Sequence, residues 1–422
     1  MTQSVVGFAG MTHLGINSAA ASAARGFRTI GFDADANLIA QLTASKPTVV
    51  EPGLPELFHE HRAKLSFASD PAALAPCDIV YISSDVPTDD AGQSELAGIR
   101  ALIDSVTPHL GKAALLVVLC QVPPGFTRSL AIPERRRFYQ VETLVFGRAV
   151  ERALRPERFM VGCAEPARPL PEALAQFLRS FDCPVLAMRY ESAELAKIAI
   201  NCCLVASVTV ANTLAELSER IGADWSEIAP ALRLDRRIGQ HAYLAPGLGL
   251  AGGNLERDLA TLLRLADETG SHMELVRAFV ANSGHRRDWA LRVLWETVLT
   301  RIDDPVIAVL GLAYKQDTHS TKNSASIALL ASLATVRARV FDPVVPASMA
   351  RHARCHAATS ELDACEGADA LAVMTPWEQF RKIDPRDLAR RMRGRVVLDP
   401  YALMNAAACR GAGLAYYTLG VS

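Results

Sequence analysis

Short apolar runs that alternate with helix-length segments limit what this chain can fold into. The runs cover residues 5–9, 29–33, 79–83, 115–119, 185–188, 306–311, 338–341, 370–374 and 396–398. Strands separated in this way predict parallel, doubly wound α/β sheets, because parallel strands need a crossover connection. From Glu191 to about Thr300 the periodicity is helical instead. The pattern therefore predicts two Rossmann-like domains joined by a central helical region.

The length of 422 residues suits two or three domains with full cores. We place the boundaries near Arg189 and residues 302–305, which predicts domains over residues 1–188, 189–302 and 303–422. The formal net charge of −1 excludes a global basic field of the kind that attracts nucleic acid or an anionic membrane. We therefore expect neither nucleic acid nor a membrane among the partners.

The nine cysteines are scattered and form no CxxC pair and no zinc-ligand spacing. This pattern predicts buried, reduced thiols and no metal site. The N-terminus lacks a basic segment and a cleavage site, so we expect a cytoplasmic protein. The longest apolar stretch, about residues 198–211, contains Asn201, Ser207 and Thr209 and predicts a buried core helix rather than a membrane span.

A turn with the layout of a dinucleotide-binding unit follows the first apolar run. Gly10 predicts the tight turn, Gly15 the close helix packing, and Asp33 the acceptor for the ribose hydroxyls. A carboxylate at Asp33 repels a 2′-phosphate, which favours NAD over NADP. Thr12 stands where the second glycine is expected, and a β-branched residue there should push the ligand away or alter the turn. A plain packing turn thus stays open as the alternative.

Seven further short sequence motifs occur in the same order as in one known family. Together they resemble the UDP-glucose/GDP-mannose dehydrogenase family over nearly the whole chain. The motifs are 51–54 (EPGL), 86–89 (VPTD), 122–125 (VPPG), 193–197 (AELAK), 235–239 (DRRIG), 246–249 (PGLG) and 311–315 (GLAYK). The resemblance implies NAD as cofactor, a nucleotide-diphosphate sugar as substrate, and a homodimer formed through the central helices. It also implies oxidation of a sugar alcohol to a carboxylate.

Lys197 and Asn201 are the strongest candidates for chemistry, because they lie four residues apart and so share one helical face among apolar neighbours. A solvent-facing lysine beside a packing asparagine is the alternative. The resemblance places this pair over the reacting carbon, where a desolvated lysine stabilises an alkoxide or accepts its proton.

The resemblance carries over several other positions. Glu142 and Asp258 correspond to carboxylates that act in acid–base chemistry and water activation. Thr88 and Lys322 correspond to cofactor-binding positions. Contacts to the sugar nucleotide are implied for Arg237 from the neighbouring subunit, and for Lys315, Gly247 and Gly249. For Arg237 and Lys315, an ordinary exposed charge is the alternative.

One departure from the family pattern decides the mechanism. Asn254 occupies the place of the family's catalytic cysteine, and an amide cannot form a thiohemiacetal or a thioester. The sequence thus favours a two-electron oxidation to an aldehyde or ketone. Two alternatives stay open: a four-electron oxidation by a non-covalent route, and a catalytically silent relative that only binds nucleotide sugars.

Overall fold

The computed structural model describes residues 3–87, 89 and 94–421. Thr88, a predicted cofactor residue, lies outside the described residues. The chain divides into two compact units, residues 1–200 and 201–422. The three predicted domain ranges remain predictions.

The first unit is built on a sheet of eight strands in the order β3-β2-β1-β4-β5-β6-β7-β8. All neighbouring strands are parallel except β6 and β7. The strands are β1 Val5–Ala9, β2 Arg28–Phe32, β3 Leu65–Ala68, β4 Ile79–Ile82, β5 Leu115–Val118, β6 Arg137–Gln140, β7 Phe159–Cys163 and β8 Val185–Arg189. The first six strands have the order of a dinucleotide-binding sheet, which places the turn after β1 at the point where the strand order reverses.

Helices connect these strands in the first unit. They are α1 His13–Ala24, α2 Ala36–Thr43, α3 Leu54–His61, α4 Ala97–Val106, α5 Ala149–Leu154 and α6 Glu172–Arg179. α1 is rich in alanine, and its small side chains are almost all buried, so it packs closely. A long helix, α7 Tyr190–Ile221, begins in the first unit and continues into the second.

The second unit contains a six-stranded, fully parallel sheet in the order β11-β10-β9-β12-β13-β14. Its strands are β9 Val306–Leu310, β10 Arg337–Phe341, β11 Cys355–Ala357, β12 Ala370–Val373, β13 Val396–Leu398 and β14 Ala415–Tyr417. Its helices are α8 Trp225–Leu234, α9 Asn254–Thr269, α10 Glu274–Arg287, α11 Trp289–Leu294, α12 Ala325–Ser332, α13 Glu361–Ala364, α14 Pro385–Arg391 and α15 Ala406–Gly411. The two sheets, parallel except for the β6–β7 pair, and the intervening helices confirm the predicted fold class.

Two expectations differ from the structure: the buried core helix and the buried thiols. The predicted core helix is part of a helix of 32 residues, and only 33% of its most apolar window is buried. By length and composition alone it could cross a membrane, which is weak evidence because core helices of water-soluble proteins pass the same test. All nine cysteines are free, but Cys203 is exposed, so the thiols are not uniformly buried as expected.

A buried charge cluster ties α10 to α7. The Arg286 side chain is fully buried (0% exposed), and its guanidinium lies 3.3 Å from carboxylate oxygens of both Glu216 and Glu219. We expect Arg286→Met to lower the free energy of unfolding by about 3–5 kcal/mol, because two largely buried carboxylates lose their cation. Urea unfolding followed by circular dichroism measures this change.

Arg264→Met is the matched control for that measurement. Arg264 forms a surface pair with Glu268 at 2.8 Å, and both side chains are about half exposed. Such pairs contribute about 0–1 kcal/mol. Equal losses in the two variants would show that the Arg286 cluster adds nothing beyond a surface ion pair.

Candidate active site

The turn after β1 has two glycines that the packing requires. Gly10 has φ +95°, and a Cβ there would lie 2.8 Å from the backbone nitrogen of Ser84. A Cβ on Gly15 would lie 1.9 Å from the carbonyl oxygen of Gly10. Larger residues would therefore push α1 away from the turn, as expected for a dinucleotide-binding unit.

Thr12 fits this turn in a way that the sequence does not reveal. Its φ of −82° and ψ of −169° are extended values that any residue adopts, so no glycine is needed for the backbone. Its hydroxyl oxygen accepts a hydrogen bond from the backbone N–H of Asp85 at 2.8 Å. The side chain thus holds the loop after β4 against the start of α1.

We expect Thr12→Val to weaken dinucleotide binding about 2- to 10-fold, because the loop after β4 loses one hydrogen bond while side-chain volume is kept. Thr12→Ser keeps the hydroxyl and should bind nearly as the native protein does. Calorimetric titration with NAD measures both. Equal affinity of the valine and serine variants would show that the hydroxyl has no part in binding.

Asp33 directly follows β2, in the place expected for the ribose acceptor. One carboxylate oxygen accepts the backbone N–H of Met11 at 2.8 Å, and the other accepts that of Asp35 at 3.1 Å. These bonds fix the carboxylate beside the turn, and each oxygen has a further lone pair for a ribose hydroxyl. With the free N–H groups of the first turn of α1, these residues fit NAD.

The corresponding turn of the second unit is arranged differently. Asp342 directly follows β10 as Asp33 follows β2, but its carboxylate accepts five hydrogen bonds from within the unit. The donors are the backbone N–H groups of Leu312, Ala313, Val344 and Val345 and the indole N–H of Trp377, at 2.7–3.1 Å. This carboxylate is saturated, so we assign the dinucleotide to the first unit alone.

Lys197 lies against Glu142 in the first unit. The Lys197 Nζ is 3.3 Å from the Glu142 Oε2, and the two side chains are only 14% and 17% exposed. Glu142 follows the end of β6, and its other oxygen accepts the backbone N–H of Leu144. The helix α7 and the loop after β6 thus hold the Lys197 ammonium and the Glu142 carboxylate together with little exposure to solvent. This arrangement is suited to proton transfer.

Glu194, three residues before Lys197 on α7, is a buried carboxylate that was not among the predicted site residues. It is fully buried (0% exposed) on α7, and its two oxygens accept the backbone N–H groups of Gly125 at 2.6 Å and Thr127 at 2.8 Å. Burial raises the pKa of Glu194 although these bonds favour its charged form. The sequence feature that could have indicated Glu194 is an acidic residue within an otherwise mostly apolar helical segment, residues 193–197.

Asn201 forms a contact with a carboxylate of the second unit, that of Asp258. Its side-chain amide donates a hydrogen bond to the Asp258 carboxylate at 2.5 Å, and both side chains are buried. Arg257 lies 3.4 Å from the other Asp258 oxygen. A buried carboxylate is thus held by an amide and a guanidinium.

Asn254 is the first residue of α9, one helical turn before Asp258, and its side chain is exposed. The loop before it contains the predicted substrate-binding glycines. Gly249 has φ +80°, and a Cβ there would lie 2.4 Å from the Ser283 carbonyl, so this glycine is required by packing. Gly247 has open space around it, and its N–H is bonded to the Asn212 side chain at 2.8 Å.

The predicted cations occupy different surroundings. The Lys315 Nζ lies 5.8 Å from the centre of the Tyr314 ring. Lys322 is exposed, and its backbone carbonyl accepts the Gly252 N–H at 3.0 Å, which joins its segment to the glycine loop. The Arg237 side chain is 89% exposed and bonds to Asp235, two residues before it. No protein group of its own unit, among those described, holds Arg237 in a pocket.

Comparison with known protein families covers most of the chain. The UDP-glucose/GDP-mannose dehydrogenase family matches through its NAD binding domain over residues 4–180, its central domain over 191–283 and its UDP binding domain over 308–406. The three matched ranges together exceed half of the chain.

Individual relatives agree with this match. The chain is 29% identical to a UDP-glucose 6-dehydrogenase of Pseudomonas aeruginosa, with 97% of this chain and 96% of the relative covered. It is 27% identical to a UDP-glucose 6-dehydrogenase of Bacillus subtilis, with 97% and 92% covered. The structure is similar to that of a UDP-glucose dehydrogenase from Pyrobaculum islandicum, with a TM-score of 0.85, 25% identity, and 100% and 98% of the chains covered.

Proposed function

Because the chain belongs to the UDP-glucose/GDP-mannose dehydrogenase family and is an NAD-dependent oxidoreductase, we propose that it oxidises one alcohol group of a nucleotide-diphosphate sugar by two electrons. The observation that carries this proposal is the desolvated Lys197–Glu142 pair, 3.3 Å apart. It supplies the groups that alcohol oxidation needs, whereas Asn254 lacks the nucleophile that further oxidation through a thioester needs.

Proton transfer is the part of the reaction that this pair performs. When bound, NAD would supply the acceptor for the hydride that leaves the alcohol carbon. Glu142 accepts the hydroxyl proton, and the ammonium of Lys197 stabilises the negative charge that develops on the oxygen. An ammonium in a site with little water acts more strongly than one in bulk solvent, because the local dielectric is lower.

Asn201 and Asp258 serve to hold the substrate hydroxyl in this proposal. Asn201 lies one turn beyond Lys197 on α7, and its amide orientation is fixed by the bond to Asp258. A fixed amide orients the reacting oxygen without taking part in electron transfer. Lys315, Lys322, Arg237 and the glycine loop would supply the cations and N–H groups for the phosphates.

Purified protein, NAD and a panel of UDP- and GDP-sugars test the function. We expect NADH formation with at least one UDP- or GDP-sugar, and an aldehyde or ketone as product by mass spectrometry. If NAD binds but no sugar nucleotide is oxidised, the proposed activity is wrong and a binding role replaces it.

A homodimer through the central helices is part of the proposal. Val210, Leu214, Leu217 and Ile221 of α7 are 41–65% exposed. Their spacing places them on one face of the helix, which makes a continuous apolar stripe. Such a stripe on a long helix is typical of a helix–helix interface, and a second copy of α7 would cover it.

We expect Leu217→Glu to convert the dimer to a monomer, since a carboxylate in the stripe would be buried without a partner. Light scattering after size exclusion measures the mass. Ala408→Glu, which adds the same charge at an exposed position of α15, should leave the dimer intact. A native protein that is already monomeric, or an unchanged mass in the Leu217 variant, would contradict this interface.

We also propose a cytoplasmic location. All nine cysteines are unpaired; on α7, Cys202 is partly exposed and Cys203 is exposed. Exposed free thiols persist where the surroundings keep them reduced.

A further inference from the structure

The carboxylate of Glu51 connects segments of the first unit that the chain separates widely. Glu51 is 3% exposed and lies in the loop before α3. One oxygen faces the His13 Nε2 at 2.7 Å and accepts the Gly147 N–H at 2.8 Å. The other oxygen accepts the Ala149 N–H at 3.1 Å. A single buried group is thus bonded to donors from two distant segments.

Both segments belong to the proposed site. His13 is the first residue of α1 and directly follows Thr12 in the dinucleotide turn. Gly147 and Ala149 lie where the loop that begins at Glu142, the carboxylate paired with Lys197, leads into α5. Glu51 therefore connects the start of α1 to the loop that carries Glu142.

A ring contact runs beside this connection. The His13 ring lies against the ring of Phe146, with centroids 4.1 Å apart and planes 31° apart. Phe146 belongs to the same loop and is 54% exposed. The loop is therefore held to α1 by a charged contact inside and an aromatic contact nearer the surface.

We propose that Glu51 is a positioning residue that couples the dinucleotide turn to the loop carrying Glu142, so that binding of the cofactor sets the catalytic carboxylate. This inference rests on the proposed function, because it takes Glu142 as the proton acceptor. The bonds act in both directions: an ordered loop also favours the turn geometry that binds the dinucleotide.

The ionised form of Glu51 suits all three contacts, because both of its oxygens are then acceptors. Burial disfavours its ionised form, but the bonds from His13, Gly147 and Ala149 outweigh burial and hold the pKa of Glu51 below its ordinary value. A glutamine keeps the shape but replaces one oxygen by NH₂. In either orientation that NH₂ faces a backbone N–H, of Gly147 or of Ala149, so at least one bond is lost.

Hydrogen exchange of the loop tests the coupling without measuring activity. Exchange of the peptide over residues 143–149 is followed by mass spectrometry with and without saturating NAD. The variants are Glu51→Gln and His13→Phe, which keeps the ring contact and loses the ring nitrogen. Glu56→Gln, an exposed acid on α3, is the control.

We expect NAD to slow exchange of this peptide in the native protein and in the Glu56 variant. In the Glu51 variant, exchange without NAD should be about tenfold faster, because one or more N–H bonds are lost. NAD should still bind to the Glu51 and His13 variants but should no longer slow exchange of the loop. Full protection by NAD in both variants would overturn the proposal, since the cofactor would then order the loop without Glu51.

A double-mutant cycle tests the catalytic consequence. If Glu51 acts through Glu142, Glu51→Gln should lower kcat about tenfold in the native background and have no further effect in the Glu142→Gln background. Equal effects in the two backgrounds would overturn the positioning role. If Glu142→Gln alone leaves kcat unchanged, the proposed function of Glu142 fails, while the exchange experiment still decides whether Glu51 couples turn and loop.

Discussion

Replacing Lys197 by methionine is expected to slow hydride transfer about 100- to 1000-fold, with little change in the affinity for NAD. The ammonium stabilises charge that exists only as the alcohol is oxidised, so its loss lowers kcat rather than binding. Methionine keeps most of the side-chain volume at this largely buried position. Single-turnover formation of NADH measures the rate directly.

Two further variants show whether this loss is specific to Lys197. Lys112→Met changes an exposed lysine of the same unit and should leave the rate unchanged. Glu142→Gln should also slow the reaction, because the proton acceptor is removed while the 3.3 Å contact to Lys197 can persist as a hydrogen bond. Unchanged turnover in the Lys197 variant would remove this lysine from the site.

Parts of the fold could be predicted because hydrophobic burial alone determines them. β1 and β9 are apolar and almost wholly buried, so the sequence shows them clearly. β6 was not predicted, because it begins at Arg137 after two other arginines and looks like an exposed charged turn. In the structure Arg137 is 5% exposed, and its guanidinium lies 5.2 Å from the centre of the Tyr190 ring. That contact joins distant segments, which no local pattern indicates.

The candidate site also has a part that local sequence predicts and a part that depends on tertiary contacts. The spacing of Lys197 and Asn201 follows from helical geometry, and a helix is what the structure has there. Their pairing with Glu142 and Asp258 depends on tertiary contacts, so only the family resemblance pointed to those residues. Glu51 belongs to the family motif at residues 51–54, but its proposed role depends on three donors that are distant in the sequence.

Conversion of the sugar nucleotide is expected to yield one NADH for each substrate consumed, because Asn254 cannot hold the intermediate as a thioester. The ratio is measured from NADH absorbance and from substrate loss by chromatography. Asn254→Cys should raise the ratio above one, since Asn254 is exposed at the start of α9 and a thiol there is accessible to an aldehyde. Asn254→Ala should leave the ratio at one.

Another cysteine could in principle replace the missing nucleophile, and Cys120, two residues after the end of β5, is one to consider. It is fully buried (0% exposed), and burial raises the pKa of its thiol to about 12. A thiol of this kind is almost entirely protonated at neutral pH and unreactive. Cys120→Ser should therefore leave the ratio unchanged in both the native and the Asn254→Cys backgrounds. A ratio of two with a carboxylate product from the native protein would mean that a water-based second oxidation takes place without any thiol, and the two-electron assignment would then be wrong.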